Sequence, residues 1–421
     1  MGKLKVFTTF SGIGMQERGI INSNCYDLEV IATSDIDKDA ILSYASIHNN
    51  LTMDLVKNYT GYPSQEEMIS ELQRKHIGYD FQKKKEYNWR RFLNKTNYIL
   101  EKYWLAVHLS NNLGDISLVK ELPDVDLLTF SFPCTDISKT GRQQGVSYED
   151  WKKGNSTRSG LVWEIVRLLE NAKRMNNLPK YLLLENVSAL ISKKFIKDFE
   201  MLNELLKEIG YNVYYSEIDG KNVGIPQSRP RVFGIYIRKD VDLELFEFPK
   251  KIKNNLRLKD FLEEDVELKY FVSQMIQDRF KITDPTFTKN IIGTTQPDFR
   301  TIGQRDVVFQ IDSIIGSLTA TDYKQPKQIL VIVTNEKKKE LEEKGIFGVG
   351  NNKYVRKLTP DEGFLLMGLT KEDCINCRNM GVSDTNLYKQ AGNGIITNCI
   401  KLLMEHLYKA QENPFYICED E

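Results

Sequence analysis

Histidine is nearly absent, with four in 421 residues. A scheme built on imidazole acid–base chemistry, or a zinc centre built on clustered histidines, therefore fits poorly. Cysteine is sparse too, and the six (25, 134, 374, 377, 399 and 418) are scattered. Cys374 and Cys377 form one C-x-x-C without a second pair, so neither a metal site nor a disulfide frame is expected. Net charge is missing: 58 basic side chains face 58 acidic ones. Any nucleic-acid contact must then come from local basic patches. No apolar run is long enough to span a bilayer, and the first residues run straight into a core-type strand with no leader. The expected compartment is a reducing cytosol. What remains is an ordinary globular composition, 41% hydrophobic and 28% charged, in a chain long enough for two or three domains of about 100–200 residues each.

The stretch Leu127-Leu128-Thr129-Phe130-Ser131-Phe132-Pro133-Cys134 reads as a short buried strand stopped by proline. A reactive side chain just past such a strand sits at the carboxyl edge of a sheet, where open α/β sheets bind ligands. Cys134 is the candidate nucleophile. A buried structural cysteine is the bland alternative, because free Cys behaves as a small hydrophobe.

The N-terminal segment supplies a cofactor pattern. A strand from Lys3 to Phe10 runs into Ser11-Gly12-Ile13-Gly14, and a helix and a second strand follow, ending at Asp35-Ile36-Asp37. Glycines let backbone approach a ligand, and a helix start offers free N–H groups. Asp35 follows Gly12 by 23 residues, a spacing suited to a ribose hydroxyl pair. A lone G-x-G cannot separate a dinucleotide from S-adenosylmethionine. The missing third glycine of the pyrophosphate fingerprint favours a cofactor without a diphosphate. Gly114-Asp115-Ile116-Ser117 could hydrogen-bond an adenine amino group at a further strand end; alone, Asp115 would be a turn residue or a cap.

Other candidates reach the same edge. Tyr181-Leu182-Leu183-Leu184-Glu185-Asn186 delivers Glu185, whose carboxyl would hold a proton near neutrality if buried; capping the next helix is the alternative role. Strand alternation in Gln227-Ser228-Arg229-Pro230-Arg231 sends Arg229 and Arg231 to one face as a paired cationic site, or leaves them as surface arginines. Residues 135–158 form a polar, glycine-hinged loop with Ser138, Thr140 and Gln143, long enough to be a lid. Residues 51–110 are polar with a basic, aromatic middle, and read either as a solvated helical excursion or as a phosphate-contacting flank.

From about 240 to 350 the texture shifts to short strands and polar loops, including Gly293-Thr294-Thr295-Gln296-Pro297, Arg300, Gly303-Gln304-Arg305 and Thr319-Ala320-Thr321-Asp322-Tyr323-Lys324. Arg, Gln, Thr and Asn on loops are side chains that read base edges. Thr359-Pro360-Asp361-Glu362 has the spacing of a capped helix start. Gln390-Ala391-Gly392-Asn393-Gly394 precedes a C-terminal amphipathic helix.

The order of these pieces resembles the DNA (cytosine-5)-methyltransferases of the prokaryotic restriction-modification type. The matching pieces are Phe10-Ser11-Gly12-Ile13-Gly14, Asp35, Asp115-Ile116, Phe132-Pro133-Cys134, Glu185-Asn186-Val187, Gln227 to Arg231, Arg356-Lys357-Leu358-Thr359-Pro360 and Gly392-Asn393-Gly394. The resemblance implies an α/β fold: a Rossmann-like, S-adenosylmethionine-dependent methyltransferase sheet with a second, smaller target-recognition domain. It implies a catalytic and cofactor-binding part over 1–239 with an insertion at 51–110, a recognition part over 240–350 and a return over 351–421. Cys134 would attack cytosine C6, Glu185 and Arg231 would hold the base, and Arg229 would support the loop and the phosphates. Phe10, Ser11, Gly12, Gly14, Asp35, Ile36, Asp115, Ile116 and Asn393 would meet the cofactor. The lid residues Ser138, Thr140 and Gln143 would close behind a flipped base in double-stranded DNA. No metal is implied, and members commonly act as monomers. Three residues depart from the pattern: Thr135 where glutamine is usual, Ile36 where an aromatic often packs on adenine, and Gly394 where serine is common. An RNA acceptor, an NAD-dependent oxidoreductase and a catalytically silent DNA-binding protein are the competing readings.

Overall fold

A computed structural model describes residues 2–81, 83–134, 137, 147–153, 157–252, 255–282, 290–295 and 306–420. Six strands form the main sheet: β1 (Gly2–Thr9), β2 (Tyr26–Ser34), β3 (Leu127–Phe130), β4 (Tyr181–Val187), β5 (Tyr211–Asp219) and β6 (Pro230–Arg238). Their order is β2-β1-β3-β4-β6-β5. β1 to β4 run parallel, and β6 lies antiparallel between β4 and β5. Strands buried on both faces need mostly apolar side chains, as Tyr181 to Leu184 have and as Leu127 to Phe130 have apart from Thr129, whose buried hydroxyl donates to Gln16.

Alternate residues of these strands build two cores. Val6, Leu127, Leu183 and Ile235 face the helices α1 (Met15–Ser23), α2 (Lys38–His48) and the C-terminal Thr397–Gln411. Phe7, Leu128, Leu182, Leu184 and Tyr236 face helices Val162–Arg174 and Ile196–Ile209. From β1 the chain goes to β2 on one side and later to β3 on the other. The direction of winding therefore reverses between β1 and β3, which opens a crevice beyond their carboxyl ends. Thr9 pairs with Phe130 at that point, so the Gly12 turn and the Cys134 turn leave the sheet side by side.

The 51–110 stretch is not a solvated excursion. Helices α3 (Met53–Asn58), α4 (Gln65–Arg74) and α5 (Ile99–Leu109) bury Val56, Leu72 and Leu105 in the first core, and the segment between α4 and α5 adds Ile77 and Trp89. Lys75, Lys83 and Arg90 pair with Glu71, Asp80 and Glu66, which weakens their claim as phosphate contacts.

Among the described residues a second sheet has five short strands: β7 (Lys281–Ile282), β8 (Ile291–Thr294), β9 (Val307–Gln310), β10 (Gln328–Ile332) and β11 (Lys353–Lys357). They lie in the order β11-β10-β9-β8-β7. β11 belongs to this sheet, so the return to the main layer starts after it, at Thr359, and not at 351. There the capping box forms: the Thr359 hydroxyl accepts from Glu362 N and the Glu362 carboxylate from Thr359 N. Glu362 also holds Arg356 of β11 in a buried bidentate pair of 2.6 and 2.8 Å. Gln296, Pro297, Arg300 and Gly303 to Arg305 lie outside the described residues. Among the described residues no helix is long and apolar enough to cross a membrane.

Candidate active site

Pro133 ends the extension of β3, and two bonds hold the turn it makes. Asn186 Nδ2 donates to Phe132 O at 3.0 Å, and Ser159 Oγ donates to Pro133 O at 2.6 Å. Asn186 thus acts beside Glu185 as a tie between strand ends. Ser159 was not singled out from sequence, because nothing in a lone serine at a helix start points across to residue 133. Behind the turn, Gln16 of α1 donates to Ser131 Oγ and accepts from Thr129 Oγ1.

Cys134 is partly exposed. Burial pushes its thiol up from the ordinary value, and the Glu185 charge adds to that, while Arg231 and Arg229 oppose it. Glu185 is buried, and burial raises its carboxyl despite the two arginines. Its Oε1 stands 3.1 Å from Arg231 Nε. Thiol, carboxyl and guanidinium thus converge at one sheet edge.

Arg229 departs from its expected place. It does not share a solvent-facing cationic site with Arg231, because its guanidinium is turned inward and the residue is 2% exposed. It donates to Ser317 Oγ and Leu318 O through Nη1, and to Gly392 O and Gly394 O through Nη2 at 2.8 and 2.7 Å. A phosphate contact is closed to it. It ties the second sheet's connecting segment and the C-terminal turn to the edge of the main sheet. Burial and the Arg231 charge push it down to about 9, which leaves it cationic at neutral pH.

The crevice on the β1 side has the features of an adenosyl cradle. Phe10 and Gly12 both have φ +54. A Cβ on Gly12 would meet nothing within 4 Å, so the turn leaves open space beside its backbone. Gly12 N donates to Asp35 Oδ2 and Asp37 N to Asp35 Oδ1, both at 2.8 Å. Burial, with the Asp37 charge, pushes Asp35 up to about 6. A half-buried carboxyl with lone pairs left over suits a pair of ribose hydroxyls. Ser11 closes the turn by accepting from Gly14 N and donating to Ser34 O. Asp115 is buried at the end of the next turn, and Ser34 Oγ donates to Gly114 O beside it.

Three of the expected contacts sit differently. Gly14 is glycine for packing, since a Cβ there would lie 2.2 Å from His48 Nε2. Ile116 is 2% exposed and lies within the second core. Ile36 uses its carbonyl to accept from Gly78 N of the inserted stretch. Asn393 ends helix Asp384–Asn393 and is exposed, between the two carbonyls that hold Arg229. Thr135, Ser138, Thr140 and Gln143 lie outside the described residues.

A Pro-Cys turn and a glycine turn with its acid, on adjacent strand ends of a doubly wound sheet, fit the Rossmann-like fold of the S-adenosylmethionine-dependent methyltransferases. The chain belongs to the C-5 cytosine-specific DNA methylase family, whose pattern it matches over residues 78–409. It is therefore a DNA cytosine-5 methyltransferase that uses S-adenosylmethionine. It is 31% identical to the type II methyltransferase M2.ScrFI of Lactococcus lactis subsp. cremoris, over 97% of this chain and 100% of that protein. It is 30% identical to the orphan methyltransferase M.SssI of Spiroplasma monobiae, over 88% of each. In fold it is similar to the S. pombe Dnmt2 methyltransferase, with a TM-score of 0.56 and 18% identity over 99% of this chain and 100% of that one.

Proposed function

We propose that the protein methylates C5 of cytosine within a short, specific sequence of double-stranded DNA, as a cytoplasmic monomer of the restriction-modification type. The target base is inaccessible inside a duplex, so it must be flipped into the crevice. The convergence of Cys134, Glu185 and Arg231 on one strand edge supports this reading most strongly. It also favours an enzyme over a silent binder.

Cytosine C5 is a poor nucleophile. The Cys134 thiolate adds to C6, forming the S–C6 bond and moving the C5=C6 electron pair towards C5. Glu185, whose carboxyl burial raises and Arg231 holds in place, hydrogen-bonds N3 and the exocyclic amine and so stabilises the addition. Arg231 fixes the Glu185 carboxyl and faces the base. Arg229 positions the loops and does not contact DNA phosphate. S-adenosylmethionine, when bound, supplies an electrophilic methyl group to C5. The C5 proton then passes to water, the C5=C6 bond re-forms and the C6–S bond breaks. Phe10, Ser11 and Gly12 would line the cofactor's backbone side, Asp35 would take the ribose, Asp115 the adenine amino group, with Ile36 and Ile116 at its edges, and Asn393 would approach from the C-terminal turn. Ser138, Thr140 and Gln143 are the lid side chains of this proposal. Thr319 to Lys324 and the second sheet would face the recognition sequence.

The test is conversion-based sequencing of mixed-sequence duplex DNA after incubation with protein and S-adenosylmethionine, with a tRNA acceptor and Cys134→Ala in parallel. Methylated cytosines confined to one short duplex motif, and lost with Cys134→Ala while DNA binding persists, are expected. Methylation of the tRNA alone, or turnover in Cys134→Ala near that of the parent, would sink the proposal.

A further inference from the structure

The inserted stretch touches the cofactor crevice at one turn, residues 75–79. Four bonds clamp it there. Lys75 O accepts from Asp115 N at 3.1 Å, and Lys75 Nζ donates to Asn112 O at 2.8 Å. Gly78 N donates to Ile36 O at 2.7 Å. His76 Nδ1 lies 2.9 Å from Asp115 Oδ2. The approach is so close that a Cβ on Gly114, at φ +80, would stand 2.1 Å from Lys75 O. His76 itself has φ +57, a conformation that a bulky non-glycine residue adopts only where its surroundings over-determine it.

The hydrogen bonds of Asp115 show what this clamp does. A carboxylate offers about four lone-pair positions and no donor. Oδ1 accepts from Ser117 N at 3.0 Å and from Ser117 Oγ at 2.8 Å. Because the carboxylate only accepts, the His76 ring nitrogen facing it carries the proton. His76 and Ser117 therefore fix both oxygens and leave one lone pair, on Oδ2. The carboxylate is 5% exposed, so little water can serve that position. A ligand N–H donor can. His76 also stacks on Tyr79, with ring centroids 5.1 Å apart and 22° between planes, which restrains the imidazole. Glu86 stands 3.6 Å from its other nitrogen, beyond hydrogen-bond reach.

We infer that His76 of the inserted stretch is a positioning residue for the cofactor: it aims Asp115 so that the one open lone pair selects a 6-amino purine over a 6-oxo purine. The inference rests on the cofactor placement proposed above. A 6-amino group donates to the open lone pair. A 6-oxo group presents an acceptor there and is rejected by the buried charge. Without His76 the carboxylate can turn, and both the preference and its orientation relax.

Calorimetric titration of the full chain with S-adenosylhomocysteine and S-inosylhomocysteine tests this without turnover. The parent protein binds the adenosyl compound more tightly. His76→Ala weakens adenosyl binding about tenfold, the scale of one charge-assisted hydrogen bond, and leaves inosyl binding nearly unchanged. His76→Asn restores most of the preference, because its amide can donate from a similar place and Asn tolerates positive φ. Melting curves show whether each variant is folded, and the Asn variant carries the test where the Ala variant is not. Equal weakening of both ligands, or no change in either, overturns the inference while the cofactor placement stands. Failure of the parent protein to prefer the adenosyl ligand overturns the placement and the inference together.

Discussion

At the scale of single residues, reactivity at the active edge is a contest between burial and two arginines. Burial and Glu185 raise the Cys134 thiol, and Arg231 and Arg229 lower it. The thiolate is the nucleophile, so changing each neighbour should change the alkylation rate in a known direction. The other five cysteines are buried, so labelling of the native protein reports Cys134. At pH 8, iodoacetamide should react with it more slowly than with a free cysteine. Glu185→Gln removes an opposing negative charge and should speed labelling. Arg231→Ala removes a favourable positive charge and should slow it. A slower Glu185→Gln variant would contradict the electrostatic account.

At the scale of elements, buried polar ties join pieces distant in sequence. Arg229 satisfies Leu318 O, Gly392 O and Gly394 O at once. Truncating it leaves those buried carbonyls unpaired, and Arg229→Ala should lose roughly 3–5 kcal/mol of unfolding free energy, the cost typical of breaking a buried charged network. Denaturant midpoints at neutral pH measure this. A cost under about 1 kcal/mol would mean that water replaces the guanidinium.

His48 gives the second element-scale prediction. It packs over Gly14 at the start of α1, its Nε2 3.2 Å from Ile13 O. Burial, with the Arg18 charge, pushes it down to about 4. The unfolded chain takes up that proton near pH 6.5 and the folded one does not. Its contribution is present above pH 6.5 and is lost as pH falls from there to about 4, by up to about 3 kcal/mol. A His48→Gln variant should show a flatter stability profile across that window.

At the scale of the whole molecule, the catalytic layer is completed from the far end of the chain. The C-terminal helix buries Ile400, Leu403, Met404 and Leu407 in the core shared with α1, and Asp373 meets Arg18 of α1 at 2.6 Å. A fragment of residues 1–239 should therefore expose apolar surface and fail to melt cooperatively. Supplying residues 351–421 as a second chain should restore helical signal and a transition. An independently cooperative 1–239 fragment would contradict this dependence.

The sequence by itself determined the cysteine stopped by proline, the glycine turn with its acid, and the capped return at Thr359. It could do so because each is local: a strand end, a turn or a cap is specified by residues within a few positions of one another. The family followed from their order. Only the tertiary structure decided which of two arginines in the same short motif faces the site. Strand alternation predicts a shared face, but the carbonyls that draw Arg229 inward come from residues 318, 392 and 394. The same holds for the inserted stretch: its composition suggested a solvated excursion or a phosphate flank, and the fold packs it into the core and sets His76 against Asp115. Contacts between residues far apart in the chain depend on how layers pack, and no local pattern encodes them.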